Sequence, residues 1–276
     1  MSEEDKLKDL PQKLTLAVHK FSSCDGCQLA FINDGVNLLK LAGLVDIKHF
    51  AEAGAVDEDA VVDIAIIEGS VNTRHDVDRI KKIRANSGYI IAMGACATTG
   101  GIQALRNNAS VDEFNIWIKD VYPQHSDVVA KEELDTAKPV SAYIDVDFEI
   151  AGCPVSSQQM FAAVRQLLFT VEPEKTVDPV CTTCKHRGIT CVMVARGEPC
   201  LGPVTADGCD ALCPSINRGC YGCYGVAKFA NFTAMTNKLK QMGFSEAEIA
   251  RKYHFINNQQ QGFKAQMATK KATGDR

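Results

Sequence analysis

Twelve cysteines in 276 residues are the first chemistry this chain offers, because thiolates are soft metal ligands and several of these stand at ligand spacing. Cys24 and Cys27 form a C-x-x-C pair, and Cys96 and Cys153 stand alone. The other eight crowd into residues 181–223 as CTTCKHRGITCVMVARGEPC and CDALCPSINRGCYGC. The polar, acidic start MSEEDKLKDLPQKL has neither the apolar core of a secretory signal nor a twin-arginine pair, and no apolar run reaches the ~18 residues of a membrane span. A cytoplasmic location away from the membrane is expected, where thiols are kept reduced and twelve cysteines point to metal rather than disulfides.

The last eight divide as four and four. Cys181, Cys184, Cys191 and Cys200 make one set, and Cys209, Cys213, Cys220 and Cys223 make another, with Pro214 following a cysteine as in ferredoxin ligand runs. Two all-cysteine zinc sites would staple such a segment equally well, so zinc and iron–sulfur readings both stand for these residues taken alone.

The elements that must position these thiols follow from the apolar pattern. LTLAVHKF, VDIKHF, VVDIAIIEGS, YIIAMGAC and AYIDVDFEIAGC read as strands. They alternate with helical stretches over Gln28–Leu41, Asp76–Asn86 and Ser156–Phe169, which predicts an α/β protein with a doubly wound, mostly parallel sheet. Ligands of such sheets bind beyond the carboxyl ends of the strands. Cys24 and Cys27 follow the first strand, Cys96 closes YIIAMGAC and Cys153 closes DFEIAGC, so separate strand ends deliver four thiols to one edge, a set suited to one cubane cluster. Gly26, Gly94 and Gly152 beside them let backbone approach a bulky group. A third all-cysteine site on this edge favours an electron relay over zinc staples.

VEPEKTVDP reads as a linker. The expected organisation is an extension over 1–12, a sheet domain over 13–172, a cysteine-rich module over 173–225 with too few large apolar residues for an ordinary core, and helices with a tail over 226–276. Phe229, Phe232, Met235 and Leu239 form an apolar stripe expected to pack in a core, and Ser245 with Glu248 makes a capping box for a following helix. The formal charge of −4, without a strongly basic block, argues against a nucleic-acid partner.

In this order, SSCDGCQLAF, IEGS, MGACATTGGIQ, AGCP and LGPVTADGC ahead of CYGC resemble the small subunits of nickel–iron hydrogenases, over roughly residues 13–225. The resemblance implies a flavodoxin-like domain whose Cys24, Cys27, Cys96 and Cys153 hold the proximal cluster near a large subunit's nickel–iron centre. It further implies Cys181, Cys184, Cys191 and Cys200 as distal ligands and Cys209, Cys213, Cys220 and Cys223 as medial ones. Exported uptake hydrogenases place a histidine first in the distal set and a proline at one medial position. Cys181 and Cys213 stand there in this chain, implying three 4Fe-4S clusters, as in soluble, cofactor-linked enzymes with flavin- and iron–sulfur-containing diaphorase-type subunits that use NAD(P) or ferredoxin. The related subunits of complex I and of energy-converting hydrogenases keep only the strand-edge cluster. DPVCTTC and RGCYGC echo large-subunit nickel motifs, but in reversed order and with different spacing, so no nickel is assigned.

Glu68, closing the third strand, is expected to face the same edge, either carrying protons or meeting a partner, or simply capping a helix. His186 is a candidate for tuning a cluster or an ordinary surface histidine; Lys185, Arg187, Arg196 and Arg218 are candidates for offsetting cluster charge or docking an acidic partner. The expected function is outer-sphere electron transfer, with no bond-making catalytic residue in this chain. The alternatives are an electron-transfer subunit of another multisubunit oxidoreductase and a zinc-stapled binding protein.

Overall fold

The computed structural model describes residues 13–124, 133–175 and 177–266. The expected extension over 1–12, Thr176 of the linker and the tail from 267 onward lie outside the described residues. The chain enters through strand β1 (Leu14–Lys20), helices α1 (Gly26–Asn33) and α2 (Gly35–Leu44), and strands β2 (Val45–Phe50), β3 (Val62–Glu68) and β4 (Val71–Thr73). Helix α3 (Arg74–Ala85), β5 (Ser87–Met93), α4 (Gly94–Thr99), α5 (Val111–Val121), β6 (Glu133–Lys138), β7 (Phe148–Ile150) and α6 (Ser157–Leu168) complete the sheet domain.

Five parallel strands form the central sheet in the order β2-β1-β3-β5-β7. Counted along this sheet alone, that is the 2-1-3-4-5 order of flavodoxin-like folds, with the switch point between β1 and β3. Both faces are covered, which is why the strands read as continuous apolar runs. Leu16, Val18, Ile64, Ile66, Ile91 and Met93 pack with Phe31, Leu41 and Met160 on one side. The residues between them, Ala17, Ala65, Ile67, Ile90 and Ala92, pack with Ile80 and Ile83 of α3 on the other.

Two local departures from expectation have physical causes. The single helix expected over Gln28–Leu41 is two, because Asp34 leaves helical geometry (φ −86°, ψ 54°) and its carboxylate accepts from Asn37 Nδ2 and Ser157 Oγ, each at 3.0 Å. The strand expected over 142–153 shrinks to β7. Asp147 Oδ2 takes the Ile90 amide at 2.7 Å and the Arg84 guanidinium at 2.7 Å, so a side chain stands where the ladder would continue. A second, antiparallel sheet of β4 and β6 was not foreseen.

Short helices then thread the cysteine-rich stretch: α7 (Val180–His186), α8 (Val192–Arg196) and α9 (Leu212–Ser215). Val180, Val192, Cys200, Ala211 and Cys220 form its small core. Helices α10 (Phe232–Gln241), α11 (Glu246–Tyr253) and α12 (Gln261–Ala265) follow. Met235, Leu239, Ile249, Tyr253 and Phe263 pack onto Leu201 and Val204 of the cysteine-rich stretch. Phe229 falls outside the apolar stripe assigned to it: Asn231 caps α10 by accepting from Ala234 N–H at 2.9 Å, the helix begins only at Phe232, and Phe229 is 87% exposed. Ser245 and Glu248 form the expected capping box. Among the described residues no helix is long and apolar enough to cross a membrane.

Candidate iron–sulfur sites

The carboxyl edge of the sheet gathers Cys24, Cys27, Cys96 and Cys153. Ser22 and Ser70 exchange backbone hydrogen bonds (2.9 and 3.2 Å), tying the segment after β1 to the end of β3. Asp25, at φ 63°, turns the chain into α1, which carries Cys27. Gly94 opens α4 at φ +88°, and a Cβ built there would lie 2.5 Å from Cys27 Sγ. A Cβ on Gly101 (φ +60°) would lie 2.6 Å from Cys96 Sγ. Only glycine lets these backbone segments lie against the sulfurs. Cys153 follows Gly152, whose carbonyl accepts from Ala95 N–H at 2.7 Å and so links the β5 and β7 exits.

These thiols feel one another. Burial, then Glu68, Cys96 and Cys153, push the Cys27 thiol well above its ordinary range. Cys96 is pushed up to about 12 by burial, then by Cys153, Cys24 and Glu68, and Cys153 is raised by burial and then Cys24. Such thiols stay protonated without a cation, and metal ligation is what removes their protons.

The second set places Cys181 and Cys184 on α7, Cys191 at the head of α8 and Cys200 beyond it. A Cβ on Gly202 would meet Cys200 Sγ at 3.3 Å and Cys181 Sγ at 3.5 Å, so both sulfurs flank that glycine. Cys181 is raised to about 11 by burial, then by Cys200, Cys184 and Cys191. In the third set burial, followed by the Cys209 and Cys153 thiols, pushes Cys223 up to about 12, with Cys213 adding to the effect. Cys209 is likewise raised by burial, with Cys213 among the contributors.

The three sets form a row. Cys153 at the strand edge is close enough to raise Cys223 of the third set, while in the second set Cys184 is raised in part by Cys209 and Cys200 in part by Cys213. The 209–223 set therefore stands between the other two. Amides are aimed at sulfur along the junction: Cys220 N–H donates to Cys200 Sγ at 3.2 Å and Gly222 N–H to Cys220 Sγ at 3.5 Å. Among the described residues no three His, Cys, Asp or Glu side chains converge on the position of a single ion. All-thiol donors in broader sets, glycines where a side chain would strike sulfur, and amides directed at sulfur together fit iron–sulfur clusters.

Glu68 is buried at the end of β3. Its carboxylate accepts from Cys27 N–H at 3.0 Å and Gln28 Nε2 at 2.6 Å, anchoring the first turn of α1 from a neighbouring strand. Burial raises its pKa, against the lowering effect of those hydrogen bonds. Of the other candidates, His186 and Arg196 are exposed, Arg187 pairs with Asp210 at 2.9 Å, Arg218 lies over the Tyr221 ring at 5.8 Å, and Lys185 acts on Cys181.

Some residues were not singled out from sequence. Gln103 accepts from the Cys96 thiol at 3.1 Å and donates to Ser22 O at 3.2 Å, bracing two strand exits. It sits inside the quoted MGACATTGGIQ stretch, which is the signal that it belongs to the site. The buried pair Asn257 and Asn258 comes from the loop between α11 and α12: Asn257 Nδ2 donates to Gly222 O at 2.7 Å and Asn258 Nδ2 to Gly101 O at 2.9 Å. Thr99 Oγ1 completes the clasp on Asn257 Oδ1 at 2.9 Å. The polar run NNQQQ carries no pattern that would announce this.

A flavodoxin-like sheet with cysteines at its carboxyl edge, followed by a cysteine-rich module, defines an oxidoreductase subunit class. Residues 24–167, more than half of the chain, match the model of the NADH ubiquinone oxidoreductase 20 kDa subunit family. The sulfhydrogenase 2 subunit delta of Pyrococcus furiosus is 34% identical over 87% of this chain and 97% of its own length. An NAD+-reducing [NiFe]-hydrogenase structure matches 59% of this chain and 96% of its own at 26% identity and a TM-score of 0.51. The actinobacterial-type NiFe-hydrogenase of Ralstonia eutropha H16 shares the fold over 88% of this chain and 94% of its own, at 13% identity and a TM-score of 0.54. The chain belongs to the NADH ubiquinone oxidoreductase 20 kDa subunit family, and within it to the small subunits of nickel–iron hydrogenases.

Proposed function

We propose that this chain is the electron-transfer small subunit of a cytoplasmic nickel–iron hydrogenase. It would relay electrons between the large subunit's active site and a flavin- and iron–sulfur-containing partner linked to NAD(P) or ferredoxin. The observation that carries the reading is the succession of three four-cysteine sets in contact: Cys220 N–H donates to Cys200 Sγ at 3.2 Å, and Tyr224, next to Cys223, reaches the carbonyl of Pro154, next to Cys153, at 3.3 Å. In this reading Cys24, Cys27, Cys96 and Cys153 hold the proximal 4Fe-4S cluster, Cys209, Cys213, Cys220 and Cys223 the medial one, and Cys181, Cys184, Cys191 and Cys200 the distal one. Bound there, the clusters supply reversible one-electron uptake, which is all the chemistry asked of them.

The protein's part is to hold, space and shelter. Cys27, Cys200 and Cys220 are buried away from water, amides from Cys220 and Gly222 offset charge on sulfur, and the Asn257–Asn258 clasp keeps neighbouring sets in register. The NAD+-reducing relative supports a cofactor-linked partner. Purification of the native complex with iron, acid-labile sulfide and zinc counted tests the reading. About twelve irons per chain with matching sulfide is expected for three four-iron clusters. Zinc without sulfide overturns it, and the copurifying subunits identify the partner.

A further inference from the structure

Tyr224 is buried where the strand-edge and middle cysteine sets meet. It follows Cys223 in the chain, and its hydroxyl donates to the carbonyl of Pro154, next to Cys153, at 3.3 Å. Two glycines bracket the ring. A Cβ on Gly208 would lie 2.4 Å from its Cδ1 and Cε1, and one on Gly152 3.0 Å from its Cζ. Burial first, then the nearby Cys209, Cys223 and Cys27 thiols, keep the phenol protonated. Tyr224 also forms part of the wall of a cavity of about 960 Å³, together with Gln159, Asp207 and Gly225. The ring thus touches the surroundings of both cysteine sets on one side and borders this cavity on the other.

We propose that Tyr224 is a positioning residue, the wall that separates the strand-edge and middle cysteine sets from the cavity and fixes their spacing. The inference rests on reading those cysteines as cluster ligands. Water admitted beside a cluster favours its more negatively charged, reduced form, so loss of the wall raises the potential of the clusters it shelters. Glycine at 208 and 152 is what allows a ring this large to be seated there.

The test is a redox titration of the native complex carrying full-length chain, followed by electron paramagnetic resonance, with iron counted in parallel. Tyr224→Leu is expected to shift the signals of the proximal and medial clusters to more positive potential and leave the distal signal in place. Tyr224→Phe keeps the ring and is expected to match wild type. Gly208→Ala, which drives a methyl against the ring, is expected to follow Tyr224→Leu, and it decides the matter should the leucine variant hold no iron. Wild-type potentials in Tyr224→Leu and Gly208→Ala, an equal shift in Tyr224→Phe, or a common shift of all three signals overturns the proposal. Absence of iron and sulfide from the wild-type complex overturns the cluster reading instead.

Discussion

Gly94→Ala tests whether the strand-edge backbone is shaped around sulfur. The new Cβ would lie 2.5 Å from Cys27 Sγ, against the ~3.5 Å of an ordinary heavy-atom contact, so the sulfur must retreat by ~1 Å. The φ of +88° adds a backbone cost of about 1–2 kcal/mol for a residue with a Cβ, and overpacking typically adds about 1–3 kcal/mol. Together these give a destabilisation of about 2–5 kcal/mol centred on one ligand of one set. Gly43→Ala is the control. Gly43 lies in α2 with nothing within 4 Å of an added Cβ, and alanine there is expected to stabilise by about 0.5–1 kcal/mol. The assay is denaturant unfolding together with iron stoichiometry. Gly94→Ala is expected to lower the midpoint and reduce the iron content from about twelve to about eight per chain, while Gly43→Ala keeps the full iron content and raises the midpoint slightly. A Gly94→Ala protein with full iron and a wild-type midpoint would refute the idea that this glycine cradles a ligand sulfur.

His19 and His49 stack at 4.7 Å between ring centroids, both buried, and burial, then His49 and Arg79, lower the His19 pKa to about 3. The unfolded chain takes up a proton below about 6.5 that the folded one refuses, so stability is complete above that pH and falls as the pH drops towards 3. His19→Leu should remove about 2 kcal/mol of the stability loss between pH 7.5 and pH 5, read from urea midpoints beside wild type; equal slopes would exclude this source. Glu68→Ala strands the Cys27 amide and the Gln28 side chain, costing about 1–3 kcal/mol for each buried donor, whereas Glu68→Gln keeps an acceptor and should lose much less in the same unfolding assay. Cys213→Pro is expected to convert the medial cluster to a three-iron form, seen by electron paramagnetic resonance of the oxidised complex; no such signal on oxidation, with the full four-iron signals on reduction, would show that Cys213 is not its ligand.

Where apolar pattern and chain order coincide, the architecture was readable before any coordinates. The β1, β3 and β5 runs are buried on both faces, and the thiols that follow the ends of β1, β5 and β7 meet on one edge because parallel strands all finish there. What escaped was decided by single polar groups whose partners are distant in sequence. Asp34 divides a helix by reaching Ser157, and Asp147 shortens a strand by taking the Ile90 amide. Tyr224, Gln103 and Asn257 look like ordinary polar or aromatic residues until the fold places them beside cysteines. Phe229 fits the apolar stripe by spacing, yet the Asn231 cap begins the helix after it.

The Asn257–Asn258 clasp bears on how such a chain matures. Its three points of attachment lie near residues 99–101, 222 and 257–258, so the spacing of the cysteine sets closes only once residues 257 and 258 have emerged. Contacts of such long sequence separation form late and slowly. Until they do, the sets are not yet locked to one another and their thiols are still reachable, a natural interval for metal delivery; afterwards the C-terminal helices act as a latch. Truncation before residue 257 removes all three hydrogen bonds of the latch, and a fall in bound iron per chain is the expected result.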